Sequence, residues 1–313
     1  QQLKKRRGGA GDARMFCVVT SRPSEQGRSY RLPTERDLQA ASRAAQELTR
    51  LKKAHRGPLS MIPTEEICLN EIRRISIPIY GMETWGDVFS PRQALAIATL
   101  ARLVQAAAKH FSTEGSPDFT EAVVTFCGVA VSRFTDICNA LCMWETSKTQ
   151  VRHAFTRQAL GMLWDFAEPN VLSEAAGNFN VTLCTMLNMV ERCVETDCDA
   201  HVASASATTH PLPDDIANAF VTDPPYYDAV PYAHLSDFFY VWLRRALREV
   251  HGDLFAQSLV PKTQEIVVDR PHELSNSTKD VAFYERELSK AFAEGRRVLR
   301  PDGVGVIVFA SKT

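Results

Sequence analysis

Two consecutive prolines, Pro224 and Pro225, constrain this chain more than any other feature, because they stop the apolar run Ala219 to Thr222 where neither strand nor helix can continue. Each proline fixes its φ at about −65° and lacks an amide hydrogen. Each also holds the residue before it in extended backbone. In Asp223-Pro224-Pro225-Tyr226 the carbonyls of Asp223 and Pro224 therefore face a rigid turn in which no neighbouring amide competes for them. A carboxylate, a bare carbonyl and an aromatic face at the mouth of a short strand suit a planar group that carries an amine. An amino nitrogen on a heteroaromatic ring is a poor nucleophile, since its lone pair is delocalised. Two acceptors, the Asp223 carboxylate and the Pro224 carbonyl, would hold its protons and favour the tetrahedral nitrogen that recovers the lone pair. Tyr226 would stack on the base, and a base taken from duplex DNA would have to be flipped out to reach it. The structural alternative is a rigid turn with tyrosines packed on it.

The flanking pattern places this turn in an α/β frame. Ala219 to Thr222 reads as a buried strand, His234 to Val250 and Asp280 to Leu299 as helices, and Pro301-Asp302-Gly303 as a turn into a buried parallel strand, Val304 to Ala310. Strand, helix, strand is the order of a doubly wound sheet, whose ligands sit beyond the C-terminal strand ends. A short strand-like run, His201 to Ala207, precedes them. Upstream, Thr34 with Asp37 starts a helix to about Leu51, and Ser90-Pro91 starts another to Lys109. Apolar spacing predicts further helices over Asp118 to Trp144, Val151 to Phe166 and Val181 to Glu195. The expected organisation is a basic lead-in with one short strand over 1–33, a mainly helical region over 34–180, and a catalytic region over 181–313.

Net charge is −1, from 36 basic and 37 acidic side chains, so any nucleic-acid contact must come from a local basic groove. The apolar content of 45% is enough for a real core, which excludes global disorder. No stretch approaches the roughly 18 apolar residues of a membrane span, and the first residues lack the apolar core of a secretion signal. A cytoplasmic protein without membrane attachment is expected. The eight cysteines form no C-x-x-C pair, so packed, reduced thiols are expected and no metal, although a helix would place Cys138 and Cys142 on one face.

The segment TDPPYYDAVPYAHLSDFFYVWLRRAL resembles the amino-methyltransferases that make N6-methyladenine or N4-methylcytosine in DNA. More narrowly, it is similar to the adenine-specific DNA methylases that carry the DUF1156 domain. The likeness extends to YGMETWGDVFSPRQ, RHAFTRQALGMLWDFAEPN and RRVLRPDGVGVIVFASKT, covering most of the chain from about Tyr30 to Thr313. It implies part of a Rossmann-like class I methyltransferase sheet, DNA as partner, S-adenosylmethionine as cofactor, and a restriction or phage-defence setting. It also implies that Asp223, Pro224, Pro225 and Tyr226 form the target-base clamp, with Tyr227, Asp228 and Tyr232 shaping the pocket. Ser206, Ala207 and Thr208, after the preceding strand, would lie beside the cofactor. Arg244, Arg245, Lys262 and Lys312 are candidate DNA contacts, with a solvated face as the alternative for the arginines. Trp85-Gly86-Asp87 and Arg157-Gln158 recur as motifs without an evident chemical role.

The acidic-Pro-Phe and glycine-rich run with which these methylases begin their cofactor site has no counterpart in this sequence. The chain is therefore expected to be a fragment, a degraded gene product, or one part of a split enzyme whose partner chain supplies the glycine-rich half. The expected activity is adenine N6 methylation of DNA. N4-cytosine methylation and a silent DNA-binding remnant are the alternatives.

Overall fold

The computed structural model describes residues 5–22, 27–173, 177–194, 200–269 and 279–309. They divide into two compact units, residues 1–195 with 234–260 and residues 196–233 with 261–313. The larger unit holds an antiparallel pair, β1 (Val18–Thr20) with β2 (Ser29–Arg31), and a second, β3 (Trp144–Glu145) with β4 (Gln150–Val151). Its helices are α1 (Glu35–Ala54), α2 (Pro91–Glu114), α3 (Pro117–Thr135) and α4 (Phe179–Val194), with α5 (Tyr232–Leu247) contributing from His234 onward. The smaller unit contains β5 (Ala217–Thr222), α6 (Val281–Val298) and β6 (Leu299–Ile307).

The helix starts follow their capping residues. Thr34 and Asp37 form a reciprocal box, in which the Thr34 amide donates to the Asp37 carboxylate at 2.8 Å. Ser90 and Gln93 do the same at α2, where the Ser90 amide donates to Gln93 Oε1 at 2.9 Å. Such caps contribute about 1 kcal/mol each by satisfying amides that have no partner inside the helix.

The core of the larger unit is aromatic. Phe238 and Trp242 on α5 meet Phe89 at ring-centroid distances of 5.9 and 5.3 Å, and Trp85 reaches Phe238 at 6.1 Å. Trp85, Phe238 and Trp242 are fully buried, and each aromatic pair adds about 0.5–1.5 kcal/mol beyond its burial. Gly128 lets α3 approach α5, since a β-carbon there would meet the Leu247 side chain at 2.5 Å.

The sequence motifs of this unit hold one another in place. Asp87 caps its own short 3-10 helix through the Thr84 and Glu83 amides at 2.7 and 3.0 Å, and a β-carbon on Gly86 would overlap the Pro63 carbonyl. Glu168 of the EPN segment accepts from Ser90 Oγ at 2.8 Å and from Arg92 Nε at 2.5 Å. Trp85-Gly86-Asp87 thus has a structural role.

Three expected elements differ. The helix from Asp118 does not reach Trp144 but ends at Thr135. There the buried Asn139 takes over its capping, donating to the Thr135 carbonyl and accepting the Leu141 amide, both at 2.8 Å. No helix forms over Val151 to Phe166: Val151 pairs with Trp144, Asp136 accepts the Phe155 amide, and Leu160 bridges in parallel to Ile75. Tertiary hydrogen bonds outweigh helical spacing here. His201 to Ala207 forms no strand.

In the smaller unit β5 and β6 pair in parallel, with Thr222 opposite Ile307. The Pro-Asp-Gly stretch is a bulge within β6, because Ala217 pairs with Leu299 and Ala219 already with Val304. Helix α6 is capped by Asp280, which accepts the Phe283 amide at 2.8 Å, and it buries Tyr284, Ala291, Gly295 and Val298 along one stripe. Arg297 pins residues 210–214 to this helix, donating to the His210 and Leu212 carbonyls and to Asp214. The expected strand order is therefore present, but not its burial: Val221 is 69% exposed and Val304 61%. Among the described residues this sheet has two strands, and a doubly wound sheet is not formed by them.

Candidate functional site

Strand β5 delivers Asp223 to the C-terminal end of the parallel pair, where the Val308 amide still donates to the Thr222 carbonyl at 2.9 Å. The prolines then turn the chain, and the Ala229 amide closes the next turn on the Tyr226 carbonyl at 2.8 Å. The backbone thus brings Asp223, Pro224, Pro225 and Tyr226 together at the strand end, with Asp228 inside the closing turn.

Tyr226 and Asp223 are joined by a short hydrogen bond. The phenol donates to Asp223 Oδ1 at 2.5 Å, and this bond raises the tyrosine pKa above its ordinary value. The Tyr226 ring meets the edge of Phe309 at 5.4 Å. Pro225 offers its carbonyl to the Tyr284 hydroxyl at 2.6 Å, whereas no hydrogen bond among the described residues reaches the Pro224 carbonyl. Tyr227 stacks on Tyr284 at 4.4 Å with the rings 29° apart, and its carbonyl accepts the Val268 amide at 3.0 Å. Its φ of 43° lies in the left-handed region, uncommon for a bulky residue. Burial pushes the Tyr284 phenol up as well, so both hydroxyls stay protonated donors at neutral pH. Tyr232, half-exposed at the start of α5, adds a smaller push on Tyr226.

The segment whose Val268 amide bonds Tyr227 carries a second polar group. Glu265 Oε1 accepts the Ala233 amide at 2.9 Å, and burial raises the carboxyl's pKa against that bond. The Lys279 ammonium donates to the carbonyls of Lys262 and Glu265 at 2.9 and 3.1 Å and lies 3.5 Å from Asp269. Lys262 therefore belongs to this framework through its backbone.

Sequence reasoning missed Tyr284 and Phe309. Tyr284 was visible as the first member of the buried stripe on α6, and Phe309 as the last aromatic of the β6 run, but only the fold brings both to the turn.

The other predicted residues lie elsewhere. Ser206 and Thr208 share a hydroxyl hydrogen bond at 2.9 Å, and the Thr208 amide donates to Ser206 Oγ at 3.2 Å, so Ser206, Ala207 and Thr208 make an exposed turn of their own. Among the described residues no strand leads into them, which removes the premise for placing them beside a cofactor. Arg245 is 6% exposed, pairs with both oxygens of Glu65 at 3.0 Å, and donates to Ser60 and to the Val241 carbonyl. Arg244 donates to the Phe255 carbonyl at 3.1 Å. Both guanidiniums hold the larger unit together instead of facing solvent, because an unpaired buried Glu65 would cost several kcal/mol, about 3–5. Lys312 lies outside the described residues.

The residues present do not fit S-adenosylmethionine. Neither β5 nor β6 leads into a glycine-rich turn at a helix start, and the candidate hydroxyls are bonded to each other. Among the described residues no group of three or more His, Cys, Asp or Glu could hold a metal. Cys138 and Cys142 do not share a helix; burial raises the Cys138 thiol and pushes Cys142 up to about 12. An open groove lined by Phe126, Met186, Met189, Val190 and Cys193 in the larger unit is almost wholly apolar and offers no chemistry. No helix among the described residues is long and apolar enough to cross a membrane. No family model, no curated protein and no solved structure matches the chain.

Proposed function

We propose that this chain carries the target-amine site of a DNA methyltransferase acting on adenine N6, and that a partner chain supplies the cradle for S-adenosylmethionine. The observation that carries the reading is the Asp223 carboxylate beside the unengaged Pro224 carbonyl at the end of a parallel strand, with the Tyr226 ring next to both. The phenol of Tyr226 occupies the carboxylate with one donor, as an incoming amine would. An amine hydrogen replaces that donor at Asp223, and a second hydrogen meets the Pro224 carbonyl. The nitrogen is then held by two acceptors that draw its lone pair out of the ring. Tyr226, freed from Asp223, offers its face to the base. S-adenosylmethionine supplies the methyl group when bound, and no step of that transfer is assigned to residues described here.

The test is methyl transfer from labelled cofactor to DNA, with candidate partner chains present and nucleoside analysis of the product. Asp223→Ala is expected to lower transfer by about 10²–10⁴-fold. Tyr226→Phe, which keeps the ring and frees the carboxylate, is expected to stay within a few-fold of wild type. N4-methylcytosine as product would move the reading to the cytosine enzymes. Absence of transfer by the wild type with every partner tried would reject it.

A further inference from the structure

We propose that Thr125 is a base-activated hydroxyl that takes the acyl group of an activated ester, with His251 as its base. The cluster lies wholly within the larger unit and shares no residue with the Asp223 turn.

The close approach of α3 and α5 builds it. Gly128 admits the Leu247 side chain, and one turn further on the His251 amide donates to the Leu247 carbonyl at 2.8 Å. The His251 carbonyl in turn accepts the Phe255 amide at 3.3 Å, which fixes the backbone that carries the ring. Glu121, Thr125 and Gly128 follow one another at helical spacings of four and three, so they form one stripe of α3. A segment that meets Gly128 through Leu247 therefore meets Thr125 through His251. Thr125 Oγ1 and His251 Nε2 are 2.6 Å apart, and His251 Nδ1 lies 3.8 Å from Glu121 Oε1.

The hydroxyl has left its ordinary partner. A threonine inside a helix commonly donates to the carbonyl four residues back, as Thr49, Thr99 and Thr185 do at 2.9, 2.7 and 2.8 Å. The Thr125 hydroxyl is joined to the imidazole instead. A carboxylate beside Nδ1 favours the ring hydrogen there, which leaves the Nε2 lone pair to accept from the hydroxyl. Hydroxyl, imidazole and carboxylate in this order make an activated nucleophile. Thr125 is only half-buried and the His251 side chain is 20% exposed, so a small acyl compound reaches the oxygen.

The helix selects the substrate class. Amides in the interior of an α-helix are spent on its own carbonyls, so α3 offers no donor beside Thr125 to hold an oxyanion. Only an acyl group with a good leaving group then reacts, such as an aryl ester or an acyl phosphate. The Thr125 oxygen attacks the carbonyl carbon and its proton passes to His251 Nε2. The bond to the leaving group breaks, and the proton follows the departing oxygen. The products are acyl-Thr125 and the free leaving group.

The experiment is incubation of the full chain with p-nitrophenyl acetate, with peptide mass mapping of the acetylated residues over time. Wild type is expected to carry acetyl on Thr125. His251→Gln is expected to slow that acetylation by about 10²-fold or more. Thr125→Val, of the same shape, removes it, and Thr125→Ser restores it. Glu121→Gln is expected to slow it only a few-fold, because that carboxylate is 58% exposed. Acetylation of surface lysines, followed in the same maps, is expected to be equal in all variants and reports that they are folded alike. No acetyl on Thr125 of the wild type, or equal rates at Thr125 in wild type and His251→Gln, would overturn the proposal. Either result would leave the cluster as a tether between α3 and the segment after α5.

Discussion

At the scale of single residues, the candidate site is defined by a competition for one carboxylate. Asp223 is reached by Tyr226 because three residues and two fixed proline torsions leave the phenol little else to meet. Tyr227 shows the cost of that geometry: it is held at positive φ by its stack on Tyr284 and by the Val268 amide. A second residue-scale effect lies away from the site. His153 Nδ1 is 2.9 Å from Asp136, and that hydrogen bond raises the imidazole pKa against burial and the nearby Arg133. A raised folded pKa stabilises the fold fully below the unfolded value of about 6.5, and the effect is lost as pH rises through the folded value. With half of the side chain in solvent, the contribution stays below about 1 kcal/mol. His153→Ala should therefore lower the urea midpoint at about pH 5.5 and leave it nearly unchanged at about pH 8.5. An equal loss at both values would dismiss the pair as a pH-dependent contact.

At the scale of elements, the packing of α6 on β5 rests on one absent side chain. A β-carbon on Gly295 would meet the Phe220 ring at 2.6 Å, closer than atoms in contact can approach. Gly295→Ala must push the helix off the strand or tilt the ring, at about 1–3 kcal/mol, despite alanine's better helix propensity. Urea unfolding should show the loss, and Phe220→Leu in the same background should recover part of it. An alanine variant more stable than wild type would mean that the helix and strand do not meet there. The helix starts were legible in the sequence because their signals are local: Thr34 with Asp37, Ser90 with Pro91 and Gln93, and Asp280 all cap as their residue types demand. The segment from Val151 to Phe166 was not legible. Its conformation is set by Asp136, Ile75 and Trp144, which are remote or on another strand, and no window of local spacing contains them.

At the scale of the molecule, the described residues of the smaller unit leave a two-stranded parallel sheet open. Parallel strands are ordinarily covered on both faces, yet Val221, Val304, Val306 and Ile307 remain largely exposed. Unpaired edges and apolar faces of this kind template association with other strands. Sedimentation velocity should show self-association that grows with concentration, and Val306→Lys should suppress it without lowering the unfolding midpoint. A chain monomeric at high concentration would show that the face is covered in solution. Parallel pairing itself was foreseeable from the order of strand, helix and strand. Its exposure was not, because the apolar run from Val304 to Phe309 is the same whether or not anything covers it. The Asp223 turn was legible for a related reason: its geometry is written in four consecutive residues, while Tyr284 and Phe309 join it only through the fold.

The larger unit is assembled from two stretches of chain, and this sets a timetable for its synthesis. Glu65 emerges from the ribosome 180 residues before Arg245, the guanidinium that neutralises it. At translation rates of about 5–20 residues per second, that interval lasts roughly 9–36 s. Through it the aromatic core around Trp85 and Phe89 also waits for Phe238 and Trp242. A nascent chain with its core half-built for that long is a natural client for a chaperone, and slowing translation after residue 195 would lengthen the exposure. The smaller unit's first segment, 196–233, must be made before the larger one can close.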